Sequence, residues 1–457
     1  MKSSHFKFLI FLISVGLITI VSYAQGSVRD SSHVDHIIYL ENNEIKVGVN
    51  LDLGGSITWL SSKQKDENLI NNFDWGRQIQ MSFYGGPNPY MPNGKQPKPF
   101  WKTLGWNPIQ SGDYAGNRSE VIDYKQSSTE IYVKCIPMQW PLNNVPCNCT
   151  FESWIRLNKN TVLVKSRLNN TRKDSTQYQG RSQELPAIYT NAPFTELVTY
   201  QGPKPFQYDT VSHIQNENIP GSGRIDWASW QATENWAATL DKNNWGLGVW
   251  NPGVQRFKGG FFGKKGSPGN SGDKPTAYIA PGFDEILDSN IIYTYNYVLI
   301  LGSLKEIRKY VYQHSTKDKL PKYIFSNDRQ HWIYKNTTDL GWPVNGYLDI
   351  KLSKNSALLS PLSFWKAKRS HHLIIKAAYK TNSKRAKVYW QIFGEKDFRE
   401  TNCVEFEINS NQKFETYKIP IGTQTNYRGI ISRLKIIPIE EEQKGAGWVK
   451  IKSISVN

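Results

Sequence analysis

Cysteine is scarce: there are four in 457 residues, at Cys135, Cys147, Cys149 and Cys403. That is too few for a disulfide-built fold, and Cys147-Asn-Cys149 is too tight for the usual C-x2-C zinc knuckle. In an oxidising compartment the expected bridge joins Cys135 to Cys147 or Cys149 within one hairpin, with buried free thiols as the alternative. Histidine is also rare, with eight residues, and acid is short relative to base. The chain has 39 Asp+Glu against 56 Lys+Arg, a formal charge of +17. There is no P-loop, dinucleotide fingerprint, H-E-x-x-H helix or G-x-S-x-G elbow, which removes the chemistries those motifs carry. No cofactor and no metal are expected. A calcium site at Asp284-Glu285 is weak, because adjacent acids on a surface turn are commonly just solvated.

Long apolar runs are absent beyond the first residues. There, Lys2 and Lys7 precede an apolar stretch from Phe8 to Val21, and Ser22-Tyr23-Ala24 follows. The stretch falls short of the roughly 20 apolar residues that span a bilayer. It reads as a signal peptide, cleaved before Gln25. The expected product is secreted or periplasmic, without stable membrane insertion. For such a protein the basic excess suggests an anionic target: a uronate or sulfated polysaccharide, or the cell surface. Simple solubility is the plainer alternative. Nucleic acid would fit the charge but not the location.

Aromatic residues, by contrast, are abundant: 16 Trp, 24 Tyr and 19 Phe. They favour strands, and flat rings also stack on the C–H faces of sugars. Alternating strand signals recur at Glu44–Leu51, Ser56–Leu60, Glu130–Cys135, Thr150–Leu157, Thr161–Leu168, Trp245–Trp250 and Ile291–Leu301. Turn residues separate them, as at Gly54-Gly55, Asn158-Lys-Asn160 and Asp241-Lys-Asn-Asn244. One short helix is predicted at Leu304–His314, where Ile307, Tyr310 and Val311 share a face. A charged stretch from Thr316 marks a boundary. Beyond it, further strands are expected at Leu373–Tyr379, Val388–Phe393, Leu434–Ile439 and Trp448–Val456. The loop Lys258–Lys274, rich in Gly, Lys and Ser, suits a basic lid.

The opening hairpin, Ile45–Ser61 with Gly54-Gly55 at its turn and Asn68-Leu-Ile-Asn71 after it, resembles the first strands of galactose mutarotase-like supersandwich domains. Glu234-Asn-Trp-Ala-Ala followed by Trp245-Gly-Leu-Gly-Val is similar to a paired-strand region of the same domains. The C-terminal segment, closing on Gly447-Trp-Val-Lys-Ile-Lys-Ser-Ile-Ser-Val, resembles the accessory β-sandwich modules of exported polysaccharide-degrading enzymes. After the signal peptide over 1–24, the two resemblances imply an all-β chain, with an antiparallel supersandwich over 25–320 and a smaller jelly-roll-like β-sandwich module over 321–457. The first implies a carbohydrate-active protein but not a reaction, because that fold hosts hydrolases, lyases, epimerases and binding modules. The His pattern of aldose epimerases is missing.

Three clusters carry candidate chemistry. The first runs from Asn71 to Gly86 and holds Asp74, Trp75, Arg77, Gln78, Gln80 and Tyr84. Amides and Arg suit vicinal sugar hydroxyls, and Trp75 or Tyr84 would stack. The second holds Arg181, Gln183, Glu184 and Tyr189, with Glu184 placed as a partly desolvated general acid. An Arg181 ion pair is the bland alternative, and Glu196 is a rival carboxylate. The third is Thr233-Glu234-Asn235-Trp236, beside Trp227 and Trp230. Glycoside hydrolysis needs two carboxyls, and the expected pair is Glu184 with Glu234, Asp74 standing in reserve. The expected partner is a polysaccharide or oligosaccharide. A lyase would instead draw on Tyr189, Tyr200, His213 and Arg224, and a non-catalytic glycan-binding protein is the third reading.

Overall fold

A computed structural model describes residues 21–22, 35–219, 224–264, 269–315, 319–441, 443 and 445–457. The expected leader and its cleavage point lie outside the described residues, apart from the pair Val21–Ser22.

The predicted strands form where the alternation placed them. In Cys149–Asn158, residues Cys149, Phe151, Ser153 and Ile155 are buried and those between them are not. This is the period-2 pattern of a strand with one face on a core. Two antiparallel sheets result. One has nine strands and runs from Ser212–His213 through Trp236–Leu240, Ile292–Ser303 and Cys149–Asn158 to Glu120–Gln126. The other has ten and runs from Ala228–Gln231 through Thr276–Gly282, Glu184–Asn191 and Ile79–Ser82 to Ile37–Glu41. Their facing side chains make one core that includes Val47, Phe83, Val133, Phe151, Ile188, Phe257 and Leu299. Burying each such side chain contributes about 1.5–3 kcal/mol. Gly55 passes close against Val133. Its φ is +75°, and a Cβ there would lie 2.3 Å from Val133 Cγ1.

The helix Leu304–His314 is the one α-helix among the described residues, and its bounds are those predicted. Ser303 and Glu306 form a capping box at its start, and Ile307 and Val311 bury its apolar face against the nine-stranded sheet.

A second pair of sheets follows, of five and six strands between Lys322 and Val456, around a core containing Trp332, Ile375, Trp390 and Ile451. Polar ties join this sandwich to the larger one. Buried Arg329 lies 2.6 Å from Asp288 of the larger sandwich and also pairs with Asp339. Arg433 reaches Asp284 at 3.6 Å, and His331 stacks on Phe283 while its Nδ1 meets Glu285. This corrects the calcium option: Asp284 and Glu285 are spoken for by Arg256, Arg433, Tyr293 and His331.

Two other expectations change. The cysteine bridge joins Cys147 to Cys149, and Cys135 stays a buried free thiol. The reason lies in registry: Cys135 stands opposite Phe151 on the neighbouring strand rather than opposite a cysteine. The proposed basic lid is also partly strand, since Lys258–Phe262 belongs to Arg256–Phe262. Its returning limb is pinned as well: Ser271 Oγ donates to the Ile70 carbonyl, and the Asn71 amide donates to the Asp273 carbonyl. Residues 265–268 lie outside the described set.

Candidate active site

The ten-stranded sheet has one face on the core and one turned away from it. Ile188 and Ile279 sit opposite one another and face the core, so their neighbours Tyr189 and Tyr278 face outward. Those two rings stack at 4.7 Å, and Trp227 packs on Tyr278 at 4.9 Å. Tyr189 and Trp227 of this aromatic group border a pocket of about 70 Å³, lined also by Asp74, Arg77, Tyr84, Trp101, Asn107, Trp140, Glu184 and Thr276.

Glu184 opens the strand Glu184–Asn191 opposite Ser82, and the register slips between Glu184 and Ala187. Such a bulge re-aims side chains at a sheet rim. Glu184 accepts a hydrogen bond from the Tyr278 hydroxyl, and the Tyr84 hydroxyl also bonds to it. Burial, followed by the Glu184 charge, pushes the Tyr84, Tyr189 and Tyr278 hydroxyls well above the usual phenol range. The suspected ion pair to Arg181 is absent. Arg181 spends its guanidinium on the carbonyls of Thr103, Leu104 and Gly85.

Asp74 comes from a loop that holds itself. Its Oδ1 accepts from the Gly76 amide at 2.9 Å, and its carbonyl accepts from the Gln78 side chain at 2.7 Å. Arg77 Nε lies 3.4 Å from Asp74 Oδ2. Burial raises the Asp74 pKa, and this outweighs the lowering by Arg77 and by the Gly76 amide. Two carboxyls thus share one pocket: Glu184, and Asp74 rather than Glu234.

Glu234 belongs elsewhere. It is fully buried and accepts from the Phe206 amide (2.7 Å), Trp236 Nε1 (2.8 Å) and the Tyr312 hydroxyl, with Arg308 3.7 Å away. These partners fasten a loop and the helix to the sheet, so the Glu184–Glu234 pairing is corrected. Trp236 is likewise core.

Several of the proposed sugar contacts are scaffold for the same reason: buried amides must find partners. Gln78 and Gln80 donate to the carbonyls of Asp74, Trp75 and Arg77. Gln183 clasps the Tyr84 amide and carbonyl, both at 2.8 Å. Trp75 packs in an apolar cluster with Leu53, Ile109, Trp101 and Trp140. Glu196 is on the surface, 3.5 Å from His213.

Of the predicted residues, Asp74, Arg77, Tyr84, Glu184 and Tyr189 line the pocket. Sequence reasoning missed Trp101, Asn107, Trp140, Thr276 and Tyr278, and assigned Trp227 only to the Glu234 cluster. The aromatic excess was the only signal for the rings among them, and Asn107 and Thr276 had none. Three polar atoms of these residues are unsatisfied. Trp101 Nε1, Trp227 Nε1 and Asn107 Oδ1 are buried with no hydrogen-bond partner among the described residues. Two donors and an acceptor left open suit hydroxyl groups, which both accept and donate.

No family model matches the sequence, and no curated protein matches it. Solved structures do. A galactose mutarotase-like protein from Lactobacillus casei shares 13% identity, with 58% of this chain covering all of that one at a TM-score of 0.37. Over a little more than half of its length the chain is similar to galactose mutarotase-like proteins. A galactose mutarotase related enzyme from Lactobacillus acidophilus gives 13% identity over 59% of this chain and 98% of that one, TM-score 0.33. The 4-alpha-glucanotransferase of Thermococcus litoralis gives 12% identity over 59% of this chain and 38% of that one, TM-score 0.32. The strand order described above, rather than these values, defines the fold, and the reaction has to be argued from the pocket. No helix among the described residues is long and apolar enough to cross a membrane.

Proposed function

We propose that this is an exported glycoside hydrolase whose Asp74 and Glu184 carry out acid/base cleavage of a polysaccharide or oligosaccharide. The carrying observation is that these two carboxyls line one pocket in different surroundings. Asp74 is held toward its neutral form by burial, which suits a general acid that protonates the leaving oxygen. Glu184 accepts phenolic hydroxyls and faces the same space, which suits the partner that activates water or attacks the sugar carbon. Arg77 and the open Trp101, Trp227 and Asn107 atoms would hold hydroxyls, while Tyr189 and the tryptophans give the ring a surface to stack on. The lyase reading needs a phenolate or a neutral histidine as base. The phenols here are held above their ordinary range, and no histidine among the described residues lines the pocket.

The test is product analysis on neutral, uronate and sulfated polysaccharides, comparing wild type with Glu184→Gln and Asp74→Asn. Saturated oligosaccharides that disappear in both variants are expected. Unsaturated ends absorbing in the ultraviolet would replace the hydrolase with a lyase, and full activity in either variant would remove that residue from the mechanism.

A further inference from the structure

A second and much larger cavity, of about 660 Å³, lies between the two sandwiches and shares no lining residue with the carboxylate pocket. One wall is the Pro203–Gln207 loop with Thr233, Asn235 and Gln255. The other is the linker around Leu320–Tyr323 with Leu362–Lys366. Five cations line it, Lys204, Lys319, Lys322, Lys366 and Arg369, and among the described residues no acid does. In a chain with 39 acidic residues, a groove this size lined by one sign of charge is an electrostatic trap for anions. The five cationic residues are exposed, while Phe206, Tyr323 and Phe364 present half-buried rings between them.

The groove is also braced. Gln231 donates to Gln255 Oε1 (2.7 Å) on its own sandwich and to the Ser363 carbonyl (3.0 Å) on the other, and the Tyr323 hydroxyl pairs with Ser363 Oγ at 3.0 Å. On the opposite wall, Glu234 holds the Phe206 amide, fixing a residue whose φ of +63° the chain would not choose unaided. A cleft held open in this way loses little freedom when it binds.

We infer that this groove binds a stretch of anionic polysaccharide, with the lysines meeting successive carboxylate or sulfate groups and the rings meeting sugar faces. Ammonium groups are compact point charges that suit such repeating anions without fixing a geometry. The choice of a glycan over other polyanions rests on the hydrolase reading of the carboxylate pocket. The groove would hold a charged chain while the pocket works on it.

The experiment is affinity electrophoresis of the purified full chain in gels containing polygalacturonate, dextran sulfate or uncharged dextran, with single-stranded DNA as a competing polyanion. Retardation by at least one anionic polysaccharide and none by dextran is expected, weakening as salt rises. Which of the two retards it tells carboxylate from sulfate. Lys319→Gln, Lys322→Gln and Lys366→Gln combined should weaken binding by about tenfold with an unchanged melting temperature. If the triple variant melts early, Lys366→Glu alone is read instead. Unaltered binding in these variants, equal retardation by dextran, no retardation by either anionic gel, or DNA binding as tight as the best polysaccharide would overturn the inference. The Glu184→Gln chain separates the two readings: it should lose turnover and keep retardation, so failure of either appears in its own assay.

Discussion

The Tyr278 hydroxyl donates to Glu184 Oε1 from the adjacent strand of the same sheet, while its ring stacks on Tyr189 and packs against Trp227. The carboxyl is therefore aimed by a group that packing has already immobilised.

Tyr278→Phe keeps the ring and removes only the donor. A fall in kcat of about tenfold or more is expected, with a stability loss of about 1 kcal/mol. Steady-state kinetics and a melting curve on the same preparation check it. Unchanged kcat would mean that Glu184 is held by other contacts.

Asp74 sets a pH dependence. Its pKa is raised in the folded protein above the ordinary 3.8, chiefly by burial. The stability it contributes is complete below 3.8 and is lost as pH rises through the raised value. As a general acid it must be protonated, so kcat/KM should fall on that same alkaline limb. Arg77 lowers this pKa, so Arg77→Gln should move the limb to higher pH. A limb that stays put would take Asp74 out of the proton-donor role.

Glu234→Ala should fail as a fold variant and not as a chemical one. It strips the acceptor from the Phe206 amide, Trp236 Nε1 and the Tyr312 hydroxyl, and leaves Arg308 unpaired. A cost of about 3–5 kcal/mol is expected for breaking such a buried charged cluster, read by denaturant unfolding.

The contact between the sandwiches includes ion pairs and so depends on pH. Arg329→Met strands the buried side chains of Asp288 and Asp339 and should cost about 3–5 kcal/mol. At His331, burial lowers the pKa but the Glu285 carboxylate more than offsets this, and the net shift is upward. Its stabilisation is complete below 6.5 and fades as pH rises through the raised value. His331→Asn should flatten the stability profile above pH 6.5, as followed by melting temperature against pH.

Native alkylation should modify Cys403 alone. It is half-buried, whereas Cys135 is buried with its thiol pushed far up by desolvation, and Cys147 and Cys149 are bridged. Peptide mapping by mass spectrometry reads the outcome directly.

What the sequence determined by itself was local. Alternating burial in Cys149–Asn158 and Trp448–Val456, the Gly54-Gly55 turn and the Ser303/Glu306 cap with its helix are written within a few residues. Each depends on backbone geometry and on a single apolar face. Glu184 and Asp74 were legible as polar groups beside aromatics. Their partnership was not, because it brings together residues 110 positions apart, and Glu234 looked just as suitable in one dimension. Only tertiary structure decided between them, since burial and hydrogen-bond partners depend on neighbours from distant strands. The loop 71–78 and the edge of Glu184–Asn191 converge on one pocket, whereas the segment around Glu234 turns to the helix. The same holds for the basic groove: its cations come from segments on either side of residue 316, and their accumulation appears only once two sandwiches dock along a shared seam.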